Sequence, residues 1–263
     1  MNMDFGVFCK STLDGEPVQH CISSIFGIAQ NADPSYLDWL MQAWLWTLAV
    51  AGLSLMIALV IGAVMGTLRT LPNSSLSSRL LVSGATAWVE LFRNIPILVQ
   101  VFVWYHVIPS FILPLRELPS YLLVSIALGF FTSARIAEQV RAGIQSLPSG
   151  QMAAATALGM NRIQSYRYVI LPMALRIVIP PLTSESMNVV KNSSVAFAVS
   201  VPELTLFAMQ AQEETSRGIE IYLAVTLLYA LSAFAVNRLM TWIERRTRIP
   251  GFVGTSTDPS LAH

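Results

Sequence analysis

The chain has 263 residues, of which 54% are hydrophobic and only 12% charged, and its mean hydropathy is +0.59. Water-soluble domains carry roughly 25% charged residues, so this composition excludes an ordinary soluble domain and points to a lipid bilayer. The net charge of +1 singles out no partner and suggests no nucleic acid, and although His20 adjoins Cys21, the three histidines and two cysteines show no repeated metal-ligand spacing, so no metal cluster is expected.

Residues 1–38 are polar, with Asp4, Asp14, Glu16, Asp33 and Asp38 against the single Lys10. They form an expected periplasmic segment. A disulfide between Cys9 and Cys21 is allowed if this end faces an oxidising compartment, although two free thiols in a loosely ordered terminus are the simpler expectation. The start lacks the basic stretch and apolar run of a cleaved signal peptide. Trp39, Trp44 and Trp46 cluster where an interfacial aromatic belt would lie. Leu40 to Leu68 carries no charge, enough for a tilted span that needs about 20 residues. Gly62 and Gly66 are spaced for close approach of another helix, or are simply tolerated in lipid.

Arg69 ends this span and Pro72 to Ser75 reads as a turn. Residues 80–95 are semi-polar, with Glu90 and Arg93 spaced to pair on one helical face. Pro96 opens a second apolar run, 97–115, which holds Trp104, Tyr105 and His106 as interfacial or packing residues. Pro109, Pro114 and Pro119 break it into a short outer loop bearing Arg116 and Glu117. A third span, 118–134, is closed by Arg135. A fourth runs from Pro180-Pro181 to about Pro202. Residues 203–220 form an expected outer loop with Glu203, Glu213, Glu214 and Glu220, and a fifth span covers 221 to about 236. Arg238, Arg245, Arg246 and Arg248 follow, then an expected cytoplasmic, disordered tail at 249–263.

Five spans put the termini on opposite sides. With the N-terminus outside, the inner side collects eleven arginines (69, 79, 135, 141, 162, 167, 176, 238, 245, 246 and 248) and the outer side three basic residues, Lys10, Arg116 and Arg217. That bias predicts a cytoplasmic C-terminus and a cytoplasmic loop between spans three and four.

The loop itself has helical structure. Pro148-Ser149-Gly150 reads as a turn with Ser149 as N-cap, leading into Gln151 to Leu158, and Gly159 is a stop. A helix of about two turns needs packing to persist. Asn161 is placed to cap a second helix, with Ile163, Tyr166 and Ile170 on one face, that Pro172 interrupts. Ala153-Ala154-Ala155, three residues, Gly159, nine residues and Val169-Ile170-Leu171-Pro172 together resemble the EAA loop of bacterial ABC importer permeases. Ala153 replaces the pattern's Glu and Val169 its first Ile. Leu158-Gly159-Met160, the stretch Val89 to Pro96, Phe131 to Pro148 and Pro180 to Ser194 are similar to the polar amino-acid branch of that family.

The resemblance implies an all-α integral membrane protein with about five transmembrane helices and a cytoplasmic EAA coupling loop at about 138–172, inside a permease domain at 39–248. It implies a multi-pass subunit of the bacterial inner membrane, working with two cytoplasmic ATP-binding subunits, a second permease subunit (identical or paralogous) and a periplasmic amino-acid-binding protein. ATP and Mg would be used by the partner subunits, with no cofactor on this chain; no G-x-x-x-x-G-K-[ST] stretch occurs here. Gln151, Ala153, Ala154, Ala155, Leu158, Gly159, Leu171 and Pro172 carry the coupling role by this likeness. The implied cargo is glutamate or aspartate, with glutamine or a basic amino acid as the alternative.

Substrate-pathway candidates come from the residues themselves. Ser184, Asn188 and Lys191 share one helical face, and Lys191 lies about 15 Å beyond Pro181. A lysine at that depth costs about 2.5–3.5 kcal/mol, so it either meets a substrate carboxylate, with Asn188, Ser193 and Ser194 donating beside it, or pairs with Glu185, Glu203 or the second subunit. Arg93 is a further candidate. An ion-gradient-driven transporter is the rival class, but no internal repeat is visible. A membrane-embedded enzyme finds no catalytic set in the scattered His20, His106 and His263.

Overall fold

The computed structural model describes residues 4–18, 21, 34–72 and 75–247, which are predominantly helical. The turn residues 73–74, most of 19–33 and the tail from Arg248 lie outside the described residues, as do His20 and His263. The helices in chain order are α1 Tyr36–Leu68, α2 Leu76–Asn94, α3 Ile97–Phe102, α4 Ile108–Phe111, α5 Ser120–Gln145, α6 Gly150–Ala157, α7 Arg162–Ser165, α8 Leu171–Asn192, α9 Leu204–Thr215 and α10 Gly218–Thr247. Four stretches (α1, α5, 162–199 and α10) are long and apolar enough to cross a membrane. A fifth is completed by α2 with 97–111, bent by 106°. The about five expected spans are met by these four and the bent pair counted as one, with different edges.

A capping box starts α1: Ser35 Oγ accepts from Asp38 N–H at 3.1 Å, and the Asp38 carboxylate accepts from Ser35 N–H at 3.2 Å. Its main neighbour is α5. Gly62 and Gly66 make that approach possible, since a Cβ at Gly62 would fall 2.7 Å from Ile136 and one at Gly66 2.5 Å from the Ala137 carbonyl oxygen. Small residues are how helices without a hydrophobic drive between them come close.

The bend between α2 and α3 sits at Ile95–Pro96. Pro96 has no N–H to continue α2, whose last carbonyls would otherwise be orphaned. The buried Gln100 side chain donates to the Phe92 and Ile95 carbonyls, both at 2.8 Å. Residues 76–94 are therefore a helix joined to the second apolar run, not a semi-polar stretch before it. Glu90 and Arg93 both point outward, and no ion pair joins them.

Two boundaries expected at charged or proline residues are absent. Arg135 does not end the helix of the third span: α5 continues ten residues further to Gln145, and the exposed Arg135 pairs with the buried Glu185 of α8. Pro172 does not interrupt the following helix either. Residues Tyr166–Ile170 form a π turn, in which Leu171 N–H donates to the Tyr166 carbonyl, and Pro172 falls in the first turn of α8, where no N–H is needed. The helix then passes straight through Pro180 and Pro181.

The expected outer loop at 203–220 contains α9. Glu203 caps it, accepting from the Thr205 and Leu206 N–H groups at 2.9 and 3.0 Å and from the Tyr229 hydroxyl at 2.6 Å. Burial pushes its carboxyl above the ordinary range, against the pull of those donors. Leu204, Phe207, Ala208 and Ala211 pack with Val7, Phe8, Tyr36, Leu40 and Ile221. The amino-terminal segment is thus part of the core. It is fastened by a Cys9–Cys21 disulfide, so the thiols are not free. Asp4 N–H donates to Glu220 at 3.0 Å. Trp44 donates to Ser232 across to α10 at 2.8 Å and Trp104 stacks edge-on against Phe130 at 5.0 Å, so these indoles hold helices together rather than only lining an interface.

Candidate functional site: a coupling loop and a polar helix face

The loop after α5 is built by α6, α7 and the π turn. Ser149 occupies the N-cap position of α6 but has helical backbone angles and makes no side-chain cap. The carboxyl end follows expectation. Gly159 has φ +78°; its N–H donates to the Thr156 carbonyl at 3.0 Å and Met160 N–H to the Ala155 carbonyl at 3.1 Å, the paired bonds of a Schellman turn. Asn161 and Gln164 then exchange reciprocal capping bonds at 2.9 Å, which starts α7.

Packing fixes the direction α6 faces. Ala155 is only 2% exposed, and Met152 lies against the cluster of Ile144, Tyr166, Ile170 and Ala174. Ala153, Ala154 and Ala157 face outward. Leu158 is 77% exposed, and so is Ile163 at 79%. Ile163, expected on one face with Tyr166 and Ile170, stands in solvent while those two are buried. Two large aliphatic side chains therefore lie exposed beside outward-facing alanines, with none of the described residues packed over them. Leu171 and Pro172 are exposed at the start of α8 and line a groove along its side.

The loop is tied to the bundle at two points that the sequence did not reveal. Tyr166 is buried and its hydroxyl donates to the Thr70 carbonyl at 2.9 Å, at the end of α1. Arg69 pairs with Glu138 at 2.5 Å, and Glu138 also pairs with Arg141, joining α1 to the inner part of α5. No spacing rule connects residues this far apart in the chain.

On α8, Ser184 and Lys191 are exposed and Asn188 is half-buried, so these three share an outward face as expected. Internal pairing of Lys191 is ruled out by its proposed partners. Glu185 accepts two bonds from Arg135 at 2.8 and 2.9 Å and one from Gln139 at 3.2 Å. Glu203 is engaged by Thr205, Leu206 and Tyr229. Among the described residues Lys191 has no carboxylate partner. Ser193 departs from expectation: it is buried, and its hydroxyl donates to the Val190 carbonyl at 2.7 Å, so it does not join the polar face. Ser194 is half-buried. Arg93 lies exposed on α2. The missed element is Arg135–Glu185, a bidentate pair linking α5 to α8; the positive-inside count had assigned Arg135 to the loop.

An all-helical membrane bundle, a structured basic loop with an uncovered apolar surface and a polar face on a crossing helix define a transport subunit that works with other proteins. Residues 58–249 match the family described as binding-protein-dependent transport system inner membrane component, and the chain belongs to it. Over 237 residues it is 40% identical to the glutamate/aspartate import permease protein GltJ of Escherichia coli (strain K12), spanning 86% of this chain and 94% of that protein. A probable glutamine ABC transporter permease of Bacillus subtilis (strain 168) is 38% identical over 61% of this chain and 73% of its own length. The solved structure of an amino acid ABC transporter with histidines aligns at TM-score 0.69 and 28% identity, covering 80% of this chain and 95% of that one. An inward-facing methionine ABC transporter at 23% identity and TM-score 0.68 shares the fold. The chain is an amino-acid ABC importer permease of the inner membrane. It is a transport subunit, not an enzyme, and its family implies an ATPase and a binding protein as partners.

Proposed function

We propose that this permease carries glutamate and aspartate inward, paired with a second permease subunit and driven by two cytoplasmic ATP-binding subunits docked on α6. The likeness to a glutamate/aspartate permease over nearly that protein's full length supports the cargo. The observation that carries the docking assignment is the surface of Ala153, Ala154, Ala157, Leu158 and Ile163. It is apolar, uncovered and held rigidly from behind by Ala155 and Tyr166. A short helix that lays small residues and two anchors into a groove is a recurrent recognition mode. It compensates for the carboxylate that Ala153 lacks.

The Cys9–Cys21 disulfide supports a periplasmic N-terminus, because such bonds persist in oxidising compartments. The three spans before it then bring α6 to the cytoplasm. When the ATP-binding subunits close, displacement of α6 passes through its packed contacts with Tyr166 and Ile170 into α8. The Arg135–Glu185 pair makes α5 and α8 move together. Lys191, without a counter-ion among the described residues, offers its ammonium to a substrate carboxylate, with Asn188 and Ser184 on the same face. Alternating access is the opening and closing of this path.

The test is competition uptake with radiolabelled amino acids in cells or vesicles carrying the assembled transporter. Glutamate and aspartate should displace one another, and ATP depletion should stop uptake. Displacement by glutamine or arginine alone would overturn the cargo, and uptake persisting without ATP would overturn the docking scheme.

A further inference from the structure

A groove of about 550 Å³ runs between the last turns of α1, the inner half of α5 and the first turns of α8. Its walls are aliphatic: Leu59, Ile136, Val140, Leu175, Val178 and Leu182. At one end stands Arg167, on the π turn that precedes α8. Leu175 is 54% exposed, so the groove lies open along its side.

Three observations specify the occupant. The first is depth. The groove follows α1 to its end beside Arg69 and α8 from its start, so it lies in the bilayer half nearest the arginine-rich loop. The second is polarity along its length, apolar inside the membrane and cationic at the loop end, which matches an amphiphile with its head at that interface. The third is charge. Arg69 and Arg141 share Glu138 and Arg135 holds Glu185. Arg167 is exposed and has no carboxylate within ion-pair distance among the described residues; its guanidinium lies 5.6 Å from the Tyr168 ring. Basic pockets between helices on the cytoplasmic side are suited to anionic headgroups, and guanidinium matches phosphate in geometry. At 100° per residue, Val178 and Leu182 lie on roughly the opposite side of α8 from Ser184, Asn188 and Lys191. The groove is therefore turned away from the polar face assigned to the transport path and the second permease.

We propose that this groove holds an acyl chain of an anionic phospholipid from the cytoplasmic leaflet, with the Arg167 guanidinium against its phosphate. The leaflet assignment rests on the orientation given above; the lipid site does not depend on which amino acid is carried.

The experiment uses the assembled transporter, permease with its ATP-binding subunits, in nanodiscs of phosphatidylglycerol and phosphatidylcholine. Lipid retained after release into detergent is measured by native mass spectrometry. Wild type should retain phosphatidylglycerol in preference. Arg167→Gln should lower that preference about five-fold, the effect of one arginine at an anionic surface. Leu175→Trp, which fills the groove, should remove both lipids while the complex stays assembled. Equal retention of the two lipids by wild type, or variants that match it, would overturn the proposal. So would loss of the ATP-binding subunits from Arg167→Gln or of permease pairing from Leu175→Trp, because each assigns the residue to a protein interface. Arg167→Cys should react with an impermeant maleimide from the cytoplasmic side alone. Reaction from the outer side would overturn the leaflet, and this readout is independent of both lipid retention and uptake.

Discussion

Replacing Leu158 and Ile163 together by serine tests the coupling surface most directly. Both side chains stand about three-quarters in water, 77% and 79% exposed, so the free permease loses almost no packing when they are shortened. Full burial of a leucine or isoleucine is worth about 1.5–3 kcal/mol. Scaled by the exposed fraction, each contributes about 1–2 kcal/mol to docking, and the pair about 2–4 kcal/mol, or roughly 30- to 700-fold in affinity. The assay is surface binding of the ATP-binding subunit to permease in nanodiscs, with thermal unfolding of the permease alone as control. Affinity should fall within that range while the unfolding midpoint stays put. A loss under about three-fold, below what even one such anchor would give, would refute docking on this surface. A fall in midpoint equal to that of a core mutant would refute the claim that these residues are uncovered.

Gly66→Leu should drive a side chain into Ala137 and Val140 on α5 and cost about 1–3 kcal/mol or more, read as loss of folded permease in detergent. Glu185→Gln should leave Arg135 without a counter-ion. Breaking a buried pair costs about 3–5 kcal/mol, and the partial exposure of Arg135 reduces that, so a lower unfolding midpoint restored by Arg135→Met is expected. A midpoint unchanged in the single variant would remove the pair from the α5–α8 contact. Lys191→Met should abolish uptake of acidic amino acids with assembly and nucleotide hydrolysis by the partners intact; normal uptake affinity would exclude its contact with substrate. Cys9 and Cys21 should resist an impermeant maleimide until a reductant is added, and immediate labelling would show that the bond is absent.

Local signals carried much of this fold. Hydrophobic runs long enough for lipid located the spans, and Gly159 and Asn161 ended and started loop helices where their backbone preferences predict. Prolines and charges were poorer guides. Pro172 was expected to break a helix but sits where its missing N–H costs nothing, after a π turn that no pattern of 3.6 residues announces. Arg135 read as the edge of the membrane because a lone arginine belongs there, yet Glu185 lies fifty positions away in sequence and satisfies it inside the bundle. Likewise the acidic stretch 203–220 looked like a loop until Tyr229 and the helix N-terminus gave Glu203 its partners.

Composition and local pattern alone determined that the chain crosses a bilayer about five times and where its arginine-rich loop turns. Those properties follow from transfer of each short segment between water and lipid and from single-residue backbone preferences. Only the tertiary structure decided which charges are neutralised, since an ion pair depends on residues far apart in the chain arriving within a few ångströms. It turned Ile163 outward, turned Ser193 inward, spent Glu185 on Arg135 and left Lys191 and Arg167 without carboxylate partners among the described residues. Arg167, on the π turn before α8, and Lys191, near the end of α8, are carried to their places by the same packed bundle.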